Sequence, residues 1–214
     1  MGSEKHSGGF GCSSCLLWFV LLFGLIGGYA VYLVAATGLV DVPKISAWAF
    51  HEPKPDHEVA PSTSFDTWFS NYLVGSVSTN AASRTSVTIP EDVLTGLIRQ
   101  GAGVSMSPSV DLSKSQIAAV GEDLEIFLPF KETAMVWRVR PKLEEGLLVL
   151  ETEALRVGGS PVPRVFARTF LDRAARLALS NVQDEVAAYA NLSGVRVTPE
   201  GLVLEGELEL KTGL

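Results

Sequence analysis

Cysteine and histidine are almost missing from this 214-residue chain: Cys12, Cys15, His6, His51 and His57 are all it has, and none lies beyond residue 57. The remainder therefore can form no disulfide, and a Ser-His or Cys-His nucleophile pair within it is excluded. Phosphate-cradling loops are lacking too. Gly158-Gly159 is not followed by Gly-Lys-Ser/Thr, and Gly101 and Gly103 do not follow a strand signal, so both read as turns. Positive charge is scarce: 17 Lys and Arg against 24 Asp and Glu give a net charge of −7. Lys5 and Glu4 cancel, so that excess belongs to the part after residue 40, and nucleic acid is not an expected partner. The carboxylate pairs Glu122-Asp123 and Glu144-Glu145 adjoin glycines at predicted turns, where solvated surface pairs are ordinary and the burial that acid/base work needs is absent. Cys12-x-x-Cys15 has neither a second ligand pair nor a βαβ context. Juxtamembrane acylation is a generic option for it. No enzyme, cofactor or metal site is expected.

Charge of either sign is missing altogether between Lys5 and Asp41, and there the sequence says most. Leu16–Ala36 is an almost continuous apolar run, which as a helix reaches about 31 Å, close to a bilayer core. A cleaved signal peptide is the competing reading, with Val34 and Ala36 as small residues before Thr37. The run is longer than an ordinary signal h-region, so a retained single transmembrane helix is expected. Lys5 on one side against Lys44 and Lys54 on the other leaves the orientation undecided by charge. The working choice is a short tail inside and a large C-terminal domain outside the cytoplasm. Gly24 and Gly28 form Gly-x-x-x-Gly, a pattern that lets a second membrane helix, hence a membrane protein partner, approach closely.

The chain then divides into a tail (1–15), the transmembrane helix (16–36), a Pro-rich linker (37–61) and an α+β domain (62–214). Pro43, Pro53, Pro55 and Pro61 favour extended backbone, and His51, Glu52, Asp56, His57 and Glu58 among them have no fixed ligand geometry. Phe65, Trp68, Phe69, Tyr72 and Leu73 mark a helix ending at Gly75, and Pro90–Gln100 a second one. Period-two stretches follow at 124–129, 134–141 and 147–154, with a turn at Glu144-Glu145-Gly146 and a short strand over 155–159. Pro163 opens a long helix towards Leu192, with a break near Ser180-Asn181. One face carries Phe166, Ala167, Phe170, Leu171, Ala174, Leu177 and Ala178, and the opposite, solvent face carries Arg164, Arg168, Asp172, Arg173 and Arg176. Arg164 and Arg168, one turn apart, could meet a lipid phosphate. A hairpin turning at Pro199-Glu200-Gly201 closes the chain, one face apolar and one acidic.

The order of these pieces, above all "EEGLLVLETEALRVGGSPVP" running into a long helix and "GLVLEGELEL" closing the sheet, resembles the tubular lipid-binding (TULIP) architecture. Among bacterial members it is similar to the membrane-anchored YpmS-like proteins, over roughly residues 64–211. The resemblance implies a curved antiparallel sheet wrapped around the long amphipathic helix. It also implies an apolar groove for the acyl chains of a membrane lipid. Candidates for lining it are Phe166, Phe170, Ala174, Leu177, Trp137, Leu148 and Leu150. The alternative is that the same faces pack into a dry core, which leaves an interaction module or accessory subunit of a larger membrane complex.

Overall fold

The computed structural model describes residues 12–77, 85–100, 111–130, 133–169, 171–172, 175 and 190–208. Helix α1 (Cys12–Thr37) is followed by a single turn, α2 (Ser46–Ala49), then by α3 (Phe65–Val77), β1 (Thr85–Pro90) and α4 (Glu91–Gln100). Strands β2 (Gln116–Val120), β3 (Asp123–Phe130), β4 (Thr133–Glu144), β5 (Leu147–Val157) and β6 (Ser160–Val162) come next. Residues 164–169, 171–172 and 175 are helical and are called α5; β7 (Ala190–Thr198) and β8 (Gly201–Leu208) end the described chain.

All strand pairs are antiparallel. β2-β3-β4-β5-β6 form one sheet and β1-β8-β7 another, and the arrangement is curved and unclosed. The alternation read in β3 sends Leu124 and Ile126 to one side, where they meet Val139 of β4, Leu94 of α4 and Leu202 of β8. One apolar core thus joins both sheets and α4.

The border strand β2, and part of β5 where β6 leaves it open, are partnered by polar side chains of helices. A strand border leaves N–H and C=O groups unpaired, and a buried unpaired group costs about 1–3 kcal/mol. Along β2, one face of α4 supplies the partners. Glu91 Oε1 accepts from Ala119 N–H at 2.7 Å. Thr95 Oγ1 donates to Ile117 C=O and accepts from its N–H, and Arg99 Nε donates to Ser115 C=O. Residues i, i+4 and i+8 of a helix thereby serve every second residue of a strand.

β5 is served in the same way where β6, which pairs only with Leu155–Val157, leaves it open. Asp172 Oδ1 of α5 accepts from Thr152 N–H at 3.1 Å and from Thr152 Oγ1–H at 2.5 Å, while Arg168 Nε donates to Thr152 C=O at 3.1 Å. Arg168 also pairs with Glu151, and Arg164 with Glu153. Glu151 is held below the usual carboxylate range, chiefly by its hydrogen bond from Lys142, with Arg168 adding to the effect. Thr152 is fully buried. Replacing Asp172 with Ala should therefore cost roughly 1–3 kcal/mol. The check is urea denaturation combined with amide exchange, in which Thr152 N–H loses its protection and core amides of β3 do not.

These contacts correct the reading of the helix after Pro163. Its Arg164–Arg168–Asp172 face docks on the sheet, whereas Val165 and Phe166 are 75% and 61% exposed. Buried on the docked side are the small residues Ala167 and Ala175. A long amphipathic helix wrapped by the sheet is not shown: α5 is described to residue 175, and Ala190–Leu192, read as helix, belong to β7. Phe170, Arg173, Ala174, Arg176, Leu177 and Ala178 lie outside the residues whose surroundings are described. Two smaller differences follow from local chemistry. α3 runs through Gly75 to Val77, since a glycine inside a helix costs only about 1 kcal/mol. Pro90 ends β1 and leads directly into α4, so one residue serves both elements.

Candidate functional site at the end of α1

α1 is uncharged from end to end; within it Trp18–Thr37 has a mean hydropathy of 2.2 with only 11% of its residues buried. It is long and apolar enough to span a membrane, and its exposure distinguishes it from a core helix. A Cβ placed on Gly24 or Gly28 would have nothing within 4 Å, so that face of the helix is open.

A helix leaves its last carbonyls without intrahelical donors. Here the folded domain supplies the donors: Gly159 N–H donates to Ala36 C=O at 2.8 Å, and Thr133 Oγ1 donates to Thr37 C=O at 2.8 Å. Ala35 and Ala36 are buried against Ala49, and small side chains on both sides allow this approach. The β5–β6 turn at Gly158-Gly159 is thus the seat on which α1 ends.

The Pro-rich segment is laid across the sheet. Asp56 N–H donates to Glu125 Oε1 at 2.8 Å, Val59 N–H to Gln116 Oε1 at 3.2 Å, and Gln116 Nε2 to His57 C=O at 2.6 Å. Glu125, at 2% exposure, is the buried centre of this strap, and Arg138 opposite it on β4 donates from Nε at 2.9 Å. Burying a carboxylate is tolerable only with such a partner. The prolines therefore give an extended geometry that the sheet then binds. His57, read as lying outside the folded part, is bound within it, its Nε2 lying 2.8 Å from Glu91 Oε2.

That hydrogen bond to Glu91 raises the His57 pKa above 6.5, against a smaller opposing effect of desolvation. A raised folded-state pKa gives stability that is complete below the unfolded value and is lost as pH rises through the folded one. The melting temperature of the wild type relative to His57→Gln should accordingly be highest below pH ~6.5 and converge as the imidazole deprotonates. A gap that is constant or grows with pH would count against the pair.

Between the strap and the outer face of β3–β5 lies a cleft of about 690 Å³, lined by His51, Lys54, Asp56, Glu125, Arg138 and Arg156 among others, and by Gly158 and Gly159 of the seat. Arg138 is engaged by Glu125 and Asp56. His51 Nδ1 lies 3.3 Å from Ala49 C=O. Among the described residues no group of three or more His, Cys, Asp and Glu side chains could hold a metal ion.

The groove candidates separate. Trp137 and Leu150 pack against the central core, and Trp137 Nε1 donates to Thr152 Oγ1 at 3.1 Å. Leu148 is half-buried on β5, and Phe166 stands outside. Residues missed by sequence reading are Glu125, Gln116 and Thr133; only Glu125, set between Leu124 and Ile126 in an alternating strand, carried a local signal, whereas Gln116 opens the otherwise apolar β2. No family model, curated protein or solved structure matches this chain.

Proposed function

We propose that the chain is a single-pass membrane protein whose α+β domain is held in a fixed pose at the bilayer and acts there, without catalysis, as an interaction module or accessory subunit of a larger membrane assembly. The observation that carries this is the seat: the last carbonyls of the apolar helix are hydrogen-bonded to Gly159 and Thr133. Cleavage before Thr37 would remove half of that arrangement, which favours retention of α1 as an anchor. The core supports the same reading, because Trp137 and Leu150, two of the side chains an acyl groove would use, are packed against it. A surface suited to a protein partner exists on α3, where Phe65 stacks on Phe69 and Trp68 on Tyr72 with all four rings at least partly open to solvent.

Lipid handling, which the TULIP resemblance implies, is the second reading, favoured by the outward Val165 and Phe166 of α5. Native mass spectrometry of the full-length protein released from mild detergent separates the two. A mass matching the chain alone, together with a stoichiometric protein partner after crosslinking in membranes, is the result expected. Lipid that stays bound after detergent removal, and is lost on changing Phe166 to Asp, would overturn it in favour of lipid handling.

A further inference from the structure

The segment between α1 and the strap is unusual for a connector, because its apolar side chains face outwards. Trp48 is 74% exposed, and Leu39, Val40 and Ile45 are exposed with it. Much of its backbone, by contrast, is provided for. Ile45 and Ser46 N–H donate to Val42 C=O, Ala49 N–H to Ile45 C=O, and Val42 N–H to Ser46 Oγ. A segment in which much of the backbone is paired internally while the apolar side chains point out suits the membrane interface, where the remaining polar groups still reach headgroups and water.

Its position identifies that medium. Ala49 packs on Ala35 and Ala36, so α2 lies beside the last turn of α1. The Trp48 ring comes to 5.9 Å from that of Tyr32, which precedes the helix end by five residues, about 7.5 Å along the axis. The chain has therefore folded back alongside the apolar span, and the exposed patch continues the exposed surface of α1. Lys44 and Asp41 are the charges in this stretch; both are exposed, Lys44 at the turn before α2, and they form no ion pair within the described residues.

We propose that residues 39–48 form a foot seated at the headgroup–acyl boundary, in the leaflet from which α1 emerges, with Leu39, Val40, Ile45 and Trp48 in contact with lipid. This rests on α1 spanning the bilayer. A tryptophan whose ring lies among chains and whose N–H reaches water is the side chain expected at that depth. With the seat at Gly158-Gly159, the foot gives the domain a second attachment beside the helix and restrains its tilt on the membrane.

The test uses the full-length protein in phosphatidylcholine vesicles, comparing wild type with Trp48→Phe and, separately, with Trp18→Phe. The difference between wild type and each variant isolates the emission of one indole. Lipids brominated near the headgroup end of the acyl chains, or near the chain midpoint, report its depth. The expected result is that Trp48 emission is blue-shifted and is lost more strongly to the shallow bromine than to the deep one. Insensitivity of Trp48 to either bromolipid, with quenching by aqueous iodide, overturns the foot while α1 remains inserted. That insertion is read independently, from resistance to alkaline carbonate and from bromine quenching of Trp18. Extraction by carbonate with Trp18 unquenched overturns the anchor and the foot together. Protection of Trp48 from both quenchers, together with crosslinked dimers, would mean that a second copy covers the patch and would overturn the lipid contact alone.

Discussion

Replacing Gly201 with alanine is expected to destabilise the domain by about 2–5 kcal/mol, combining a strained backbone with an overpacked contact. Gly201 opens β8 directly after the Pro199-Glu200 turn and has a φ of +137°, a region side-chain-bearing residues rarely adopt. A Cβ there would run into Ile89 C=O and lie 2.9 Å from Pro90 Cα, both in the backbone of β1, which has no flexible end to move aside. β8 is the middle strand of its sheet, so relief must come from opening the turn or sliding β8 against its neighbours. A slide by one residue would exchange Leu202 and Leu204 on the core face for Val203 and Glu205. Leu202 is the contribution of β8 to the shared core, so the damage reaches the larger sheet as well. Against a total stability of ~5–15 kcal/mol, this lowers the urea midpoint markedly with little change in slope. Glu200→Ala, one residue away and exposed, should stay within about 0.5 kcal/mol of wild type. Equal effects of the two variants would contradict the close approach of β8 to β1.

Where the sequence was legible, a single physical cause dominated. α1 was readable because a charge-free run of that length has few alternatives. The hairpins of β4–β5 and β7–β8 were readable because turn residues interrupt period-two alternation. Thr85–Pro90 is less legible although Val87 and Ile89 alternate with Ser86 and Thr88, because the strand is short and Pro90 at its end is equally a helix-start signal.

The harder failures concern polar residues on helices. Arg164, Arg168 and Asp172 recur every four positions, as a solvent face does. Nothing local distinguishes water from an unpaired strand border, because the border belongs to Thr152 and to the point at which β6 stops. Glu91, Thr95 and Arg99 of α4 pose the same ambiguity against β2. The strap was legible in conformation and illegible in attachment: prolines specify extended backbone, yet the acceptors for Asp56 and Val59 lie on Glu125 and Gln116, 69 and 57 residues further on. The seat of α1 leaves even less trace, since it is made largely of backbone groups, and Gly158-Gly159 looks like any turn.

That seat is nonetheless where one substitution should separate anchorage from folding. Gly158 has a φ of +57°, and a Cβ on it would collide with Thr37 C=O and lie 2.6 Å from Thr37 C and 2.8 Å from Ala36 O. The left-handed conformation alone costs an alanine roughly 1–2 kcal/mol. The collision is worse, because both obstacles belong to the backbone of the α1 terminus and only its retreat can relieve them. Retreat would withdraw Ala36 C=O from Gly159 N–H and Thr37 C=O from Thr133, returning two helix-end acceptors to solvent. The larger sheet does not need those bonds, so the domain should lose only ~1–3 kcal/mol while its coupling to α1 is broken. Spin labels placed at the C-terminal end of α1 and on the exposed surface of β4 should give a narrow distance distribution in the wild type and a broad one in Gly158→Ala. Gly159→Ala is the matched control: its Cβ would meet Ala36 O and His51 N at 3.4 Å, its φ lies outside the left-handed region, and its N–H is kept. Its distribution should remain narrow. If both variants broadened it equally, or neither did, α1 would not be seated on this turn, and the fixed pose proposed for the domain would lose its basis.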